Sequence, residues 1–239
     1  MDKTFTPYRL IDALAVLASF FVGLLLSLML YFFKAIFRIE SISASLHIPY
    51  DILSILVEYL VAAFVVLIIY LVIFRRYKLN WTTFGFRPLS IKKTLSYIII
   101  SFVLTFAIWI AVAPFIIVFF PTIDLGESQE IFDPQMHVVA QGLLIFYAII
   151  IGPFIEEIVF RGVLFPAFAQ KTNIILGLML STLIWSLLHF QLNVIIFTFI
   201  FGIILGYMYY KTKSLWPSYI THVLKNLMAV IAIYLFGLF

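Results

Sequence analysis

Seven nearly continuous apolar runs divide this chain, at residues 13–33, 52–74, about 95–120, about 138–160, about 174–190, 194–210 and about 219–239. Hydrocarbon offers no partner to a backbone N–H or C=O, so segments of this length must satisfy their own polar groups as helices. Barrel strands would instead alternate apolar and polar residues over about ten positions. Only 11% of the residues are charged and 65% are hydrophobic, whereas soluble domains carry about 25% charged residues. The chain therefore reads as an all-α, polytopic membrane helix bundle of about seven to eight transmembrane helices.

Residues 1–239 read as a single integral membrane domain, since no Gly/Ser/Pro-rich or charged run marks a linker and no fixed-period repeat is present. The motif-bearing part is about 138–239. The first run exceeds a signal-peptide core and no small-residue cleavage site follows it, so it is expected to be a retained span. Absence of cysteine excludes disulfides, thiol catalysis and Cys-based metal sites. The net charge of +4 is confined to a few connectors, with no aromatic-studded basic surface for nucleic acid. The partner that composition implies is the lipid bilayer.

Connector cations set the orientation. Residues 75–93 hold six Lys or Arg, whereas 121–137 hold none and carry Asp124, Glu127, Glu130 and Asp133. By the positive-inside rule the first connector is cytoplasmic and the second external. A multi-pass protein of the cell membrane follows, with a cytoplasmic N-terminus. Residues 161–171, Lys211 and Lys213 would also face the cytoplasm. Trp81, Phe84 and Phe86 are expected to anchor the six-cation connector on the inner leaflet.

Three polar clusters interrupt the apolar runs: Glu156-Glu157 with Arg161, His189 after Trp185, and His222 with Asn226. An ionisable side chain at bilayer depth costs roughly 2.5–3.5 kcal/mol, so such groups face a cavity and mark function. Glu157 and Arg161 are four apart and share a helix face, while Glu156 points elsewhere. One carboxylate can thus be held by the guanidinium while the other is free to act as a base. His222 and Asn226, also four apart, project together. Singly, each cluster has a blander explanation: a Glu-Arg interface pair, an interfacial histidine, interhelical glue. Together they point to water activation within the membrane. Their depths conflict, however. If the fourth helix ends near Phe160, Glu156 and His222 lie near the cytoplasmic side, and His189 lies about 22 Å into the fifth helix at 1.5 Å per residue. A joint site then requires a break at Pro153 or a submerged connector over 162–173.

The order Glu156-Glu157-x-x-x-Arg161, Trp185-x-x-x-His189, His222-x-x-x-Asn226 resembles the CPBP intramembrane proteases. That family groups type II CAAX prenyl endopeptidases with bacterial relatives linked to bacteriocin processing and self-immunity, formerly called the abortive-infection family. The resemblance covers about 154–227. It implies a hydrophobic peptide or membrane-protein substrate, with Glu156 and His189 positioning and deprotonating a water, Glu157 and Arg161 holding the first carboxylate, and His222 and Asn226 stabilising an oxyanion. Trp185 stands where phenylalanine is commoner, a change expected to keep the packing and leave the chemistry untouched. No cofactor is implied with certainty. Zinc is the one candidate, since Glu156, His189 and His222 offer three ligands and leave a fourth position for water; the metal-free glutamate mechanism is favoured. The alternatives are a non-catalytic self-immunity scaffold and a small ion-coupled transporter. Glu58, inside the second run, is expected to make an interhelical hydrogen bond, the alternative being that it lines the cavity or an ion path, and Gly202 and Gly206 to pack a helix closely within the monomer rather than across a dimer.

Overall fold

The computed structural model describes residues 7–32, 39–125 and 135–236. Glu127, Glu130 and Asp133, used above for orientation, lie outside the described residues. The described chain is helical: α1 Leu10–Phe32, α2 Ile39–Leu46, α3 Tyr50–Arg75, α4 Trp81–Phe84, α5 Ile91–Phe119, α6 Val138–Lys171, α7 Ile174–Leu187, α8 Leu192–Thr212 and α9 Leu215–Phe236. Six of these are long and apolar enough to cross a membrane: α1, α3, α5, α6, α8 and α9. The protein is thus an all-α, multi-pass membrane bundle.

The fifth and fourth runs depart from expectation, for one shared reason. Helix α7 has 14 residues, about 21 Å at 1.5 Å per residue, short of the ~30 Å hydrocarbon layer. Helix α6, instead of ending at Phe160, continues to Lys171, so 161–171 is not a connector. The helix turns back at Thr172-Asn173, where Asn173 accepts from the Leu176 N–H at 2.9 Å and caps α7. The end of α6 and the whole of α7 form a tight antiparallel hairpin. A Cβ at Gly177 would meet the Ala169 backbone nitrogen at 2.4 Å, so only glycine permits this approach. Fifteen residues lead from 156 to the turn at 171 and fifteen return from 174 to 189. His189 is therefore brought back level with Glu156, which removes the depth conflict. Gly177→Val is expected to cost about 1–3 kcal/mol by overpacking and to lower activity with it; a thermal melt and a hydrolysis assay on the same sample check both.

Helix α6 is irregular where it carries the polar cluster. π-Helical stretches occupy Tyr147–Ile151 and Glu157–Leu164, a feature frequent at functional sites. Pro153 explains the first. The Gly152 N–H reaches back to the Tyr147 carbonyl, and the next residue has no N–H to offer Ala148. Asn226 supplies the donor missing at the Ala148 carbonyl, at 2.7 Å, and neighbouring helices add further donors nearby, Tyr219 to Ile150 at 3.3 Å and Tyr59 to Leu143 at 2.9 Å. Tyr8 likewise donates to the Gly162 carbonyl in the second stretch.

The connector aromatics face protein as well as lipid. Phe84 and Phe86 are buried, because α4 sits over Gly162, where a Cβ would meet Phe84 at 2.8 Å; Trp81 alone is exposed. Asp12, Arg76 and Tyr77 tie α1 to the end of α3, with Arg76 2.8 Å from Asp12. The Leu215 N–H donates to the Gly85 carbonyl at 2.8 Å, which places 85–87 beside the α8–α9 turn. Gly202 packs against Thr182 and Trp185, and Gly206 against Leu178, so this small-residue step joins α8 to α7 within the monomer. Glu58 accepts from Ser27 on α1 at 2.9 Å, the expected interhelical bond. Pro114 lies inside α5.

Candidate active site

The three polar clusters meet at the level of the α6 irregularity. Glu157, Arg161 and His222 are almost wholly buried, whereas the Glu156 side chain keeps 27% of its surface open. Arg161 Nη1 lies 3.1 Å from Glu157 Oε1, and His222 Nδ1 lies 3.1 Å from the same oxygen. The guanidinium also covers the Trp185 ring, with Cζ 4.1 Å from its centroid. A buried charge needs both a partner and hydrogen bonds, and here one carboxylate is shared between a guanidinium and an imidazole. Glu157 Oε2 and Arg161 Nη2 have no hydrogen-bond partner among the described residues, so the pair is held at an energetic cost.

Glu156 points away from this pair, into the space between α6, α7 and α9. Its Oε2 accepts from the Trp185 indole N–H at 2.6 Å and lies 3.8 Å from His222 Nε2. His189 packs edge-on to Trp185, with centroids 5.3 Å apart, and its Nδ1 is 3.3 Å from the Trp185 carbonyl. Trp185 also meets the His222 ring at 5.3 Å. One indole thus separates two imidazoles and holds a carboxylate. The expectation that Trp185 leaves the chemistry untouched is corrected: phenylalanine has no N–H, and this tryptophan adds a donor to Glu156. Charge-assisted hydrogen bonds contribute roughly 1.5–3 kcal/mol, so Trp185→Phe is expected to lower kcat by about tenfold or more, measured on protein of unchanged melting temperature.

The structure brings Glu156, Glu157, Arg161, His189 and His222 to one site, and Asn226 to its edge. The Asn226 amide already donates one hydrogen to Ala148, which leaves the second for other use. The buried serines nearby, Ser186 and Ser218, donate to the Leu183 and Leu215 carbonyls of their own helices, as inward-facing helix hydroxyls do. Among the described residues no three His, Asp or Glu side chains, Glu156, His189 and His222 included, are placed as a ready ligand group for a metal ion. The Glu156 oxygen nearest His222 is occupied by the indole.

Two further polar groups reach this site. Tyr147, nine residues or about two turns before Glu156, is in electrostatic reach of both Glu156 and Glu58. Lys225 on α9 is in electrostatic reach of Glu156 and His189. The signal for Lys225 is present in the sequence, as a cation inside an apolar run three residues after His222. Tyr147 has no such signal, because tyrosine is common in these runs.

The family model described as type II CAAX prenyl endopeptidase Rce1-like matches residues 138–228, the stretch from the start of α6 to the middle of α9. The chain is 30% identical over 108 residues to the putative membrane peptidase YdiL of Bacillus subtilis strain 168, covering 45% of this chain and 44% of that protein. It is 31% identical over 184 residues to the membrane-embedded CAAX protease MroQ of Staphylococcus aureus strain USA300, covering 74% of this chain and 71% of that protein. The match therefore spans less than half of the Bacillus relative and about seven tenths of the Staphylococcus one. No solved structure matches the chain.

Proposed function

The chain belongs to the CPBP family of intramembrane proteases, and from that premise we propose that it is an endopeptidase hydrolysing membrane-associated peptides or proteins. The observation that carries this reading is the partly open Glu156 carboxylate, held by the Trp185 indole at 2.6 Å and facing His222 at 3.8 Å. A carboxylate fixed in one orientation beside imidazoles is the arrangement a general base needs.

In the proposed reaction Glu156 and His189 orient a water, and Glu156 takes its proton as the oxygen attacks the scissile carbonyl. The carbonyl electron pair moves onto oxygen, where the free amide hydrogen of Asn226 donates to it, joined by His222 Nε2 with the ring as the doubly protonated imidazolium, since Nδ1 already donates to Glu157. Collapse of the intermediate breaks the C–N bond, and Glu156 returns the proton to the leaving amine. Donors aimed at developing charge in a dry site are worth about 2.7–4 kcal/mol each. The Glu157 carboxylate fixes the His222 ring through Nδ1, so the ring's Nε2 faces the pocket. Arg161 neutralises Glu157 and so keeps a second free carboxylate from the cavity.

The proposal is metal-free, a reading supported by the lack, among the described residues, of a His, Asp or Glu group placed to hold an ion. Elemental analysis of purified protein is expected to give substoichiometric zinc, with activity retained in a tight chelator; one zinc per chain with chelator-sensitive hydrolysis would overturn that. Prenylated C-termini and leader or bacteriocin precursors are both open as substrates. A cell-based processing assay with His189→Ala tests the protease reading itself. Lost processing with stable expression supports it, unchanged processing favours a non-catalytic scaffold, and lost ion-coupled flux with intact processing favours a transporter. A cytoplasmic N-terminus in the cell membrane is part of the same proposal, supported by the pairing of two cationic connectors through Leu215 and Gly85.

A further inference from the structure

Lys225 lies near the centre of α9, in a span whose other described residues from 219 to 235 include no second cation or carboxylate. Its side chain is only partly exposed. Among the described residues no carboxylate lies within the 4.0 Å of an ion pair with it. Its Nζ is 5.9 Å from the centroid of Phe197 on α8, at the edge of cation–π reach. Phe197 in turn packs on Trp109 at 5.3 Å and on Phe201, whose ring faces His222 at 5.9 Å. The ammonium thus sits on an aromatic wall that continues into the site, in electrostatic reach of Glu156 and His189. A cation so placed is costly unless an anion completes it. Glu156 makes no ion pair with Lys225: its Oε2 accepts from the Trp185 indole and lies beside His222.

We propose that Lys225 is a specificity residue that binds a carboxylate of the substrate. The inference rests on the protease reading, which makes the ligand a peptide. A peptide carries carboxylates in two places, its chain terminus and its Asp or Glu side chains, and both present the same chemistry to an ammonium. Lys225 is three residues beyond His222, about 4.5 Å along the helix, and an extended peptide advances about 3.3–3.6 Å per residue. The preferred carboxylate therefore lies within about three residues of the scissile bond.

The test uses full-length protein in nanodiscs and one fluorescent, N-acylated hydrophobic peptide in three forms: free C-terminus, C-terminal amide, and amide with glutamate as last residue. Binding is measured for wild type, Lys225→Met and Lys225→Arg, and hydrolysis is read by mass spectrometry in the same samples. Wild type is expected to bind at least one carboxylate form about tenfold more tightly than the neutral amide, as a charge-assisted contact implies. The preference is expected to fall to near unity in Lys225→Met and to persist in Lys225→Arg. The form that keeps the preference identifies its source, terminus or side chain. Equal preference in wild type and Lys225→Met, or none in wild type, overturns the proposal. Carboxylate-selective binding without hydrolysis would leave the subsite standing and count against the protease reading instead.

Discussion

Glu156→Gln is expected to slow hydrolysis of a membrane peptide by about 10²- to 10⁴-fold, the contribution of a positioned general base, while the protein folds and melts as wild type. The side chain keeps its shape, and the carboxamide oxygen can still accept the Trp185 N–H that now meets Glu156 at 2.6 Å. What is lost is the negative oxygen that takes a proton. The contrast with Glu157 makes the prediction specific. Glu157 is fully buried and bound to Arg161 and His222, so its loss should act through the shape of the site and through stability. Glu156 is the carboxylate with an open face. Steady-state kinetics on purified protein check it: kcat should fall with little change in KM, because the base acts in the transition state.

Arg161→Met should act differently, by unfolding the protein. Removing one partner of a buried ion pair leaves an uncompensated charge and costs about 3–5 kcal/mol. Here the stranded group is Glu157, whose Oε2 has no hydrogen-bond partner among the described residues even in the intact pair. Loss of the guanidinium also strips the face of Trp185, 4.1 Å away, and the indole is the donor that holds Glu156. The melting temperature in detergent is expected to fall by ten degrees or so, with much of the protein lost to aggregation. Replacing both partners, Glu157→Met with Arg161→Met, should recover most of the stability, as apolar substitutes for a buried pair commonly do. Hydrolysis should not recover, since His222 would lose the oxygen that fixes its ring. A double variant as unstable as the single one would show that the pair is not the source of the loss.

Much of this was legible in the residues. Run length alone gives the helices, because lipid leaves the backbone no other partner. The i, i+4 spacing of Glu157 and Arg161 gives their pairing, and the scarcity of charge in these runs singles out the polar clusters. The hairpin was not legible. Apolarity ends at Phe160, but the helix continues through Arg161 and Gly162 because protein, not lipid, surrounds them: both are buried, and Phe84 covers Gly162. Hydropathy measures fitness for lipid and is blind to a polar residue paired inside a bundle. The same blindness hides Phe84 and Phe86, which look like surface anchors and are core. Asn226 shows a third limit. Its contact with Ala148 follows from a donor missing at Pro153, 73 positions earlier in the chain, and no local pattern records that debt. Trp185 was legible as an aromatic but not as a donor, since only the fold places Glu156 beside its N–H.

The central claim is that the carboxylate on α6 and the aromatic-histidine segment of α7 meet at one depth, because the chain folds back at Thr172-Asn173. The chain contains no cysteine, so paired thiols can be introduced into a silent background and bridged in native membranes with a short bifunctional reagent. Glu156→Cys with Trp185→Cys should cross-link rapidly, given side chains now 2.6 Å apart. Glu156→Cys with Ile174→Cys should not, because position 174 lies at the far end of the hairpin, about 22 Å along the helix. Efficient bridging of the second pair and none of the first would contradict the account.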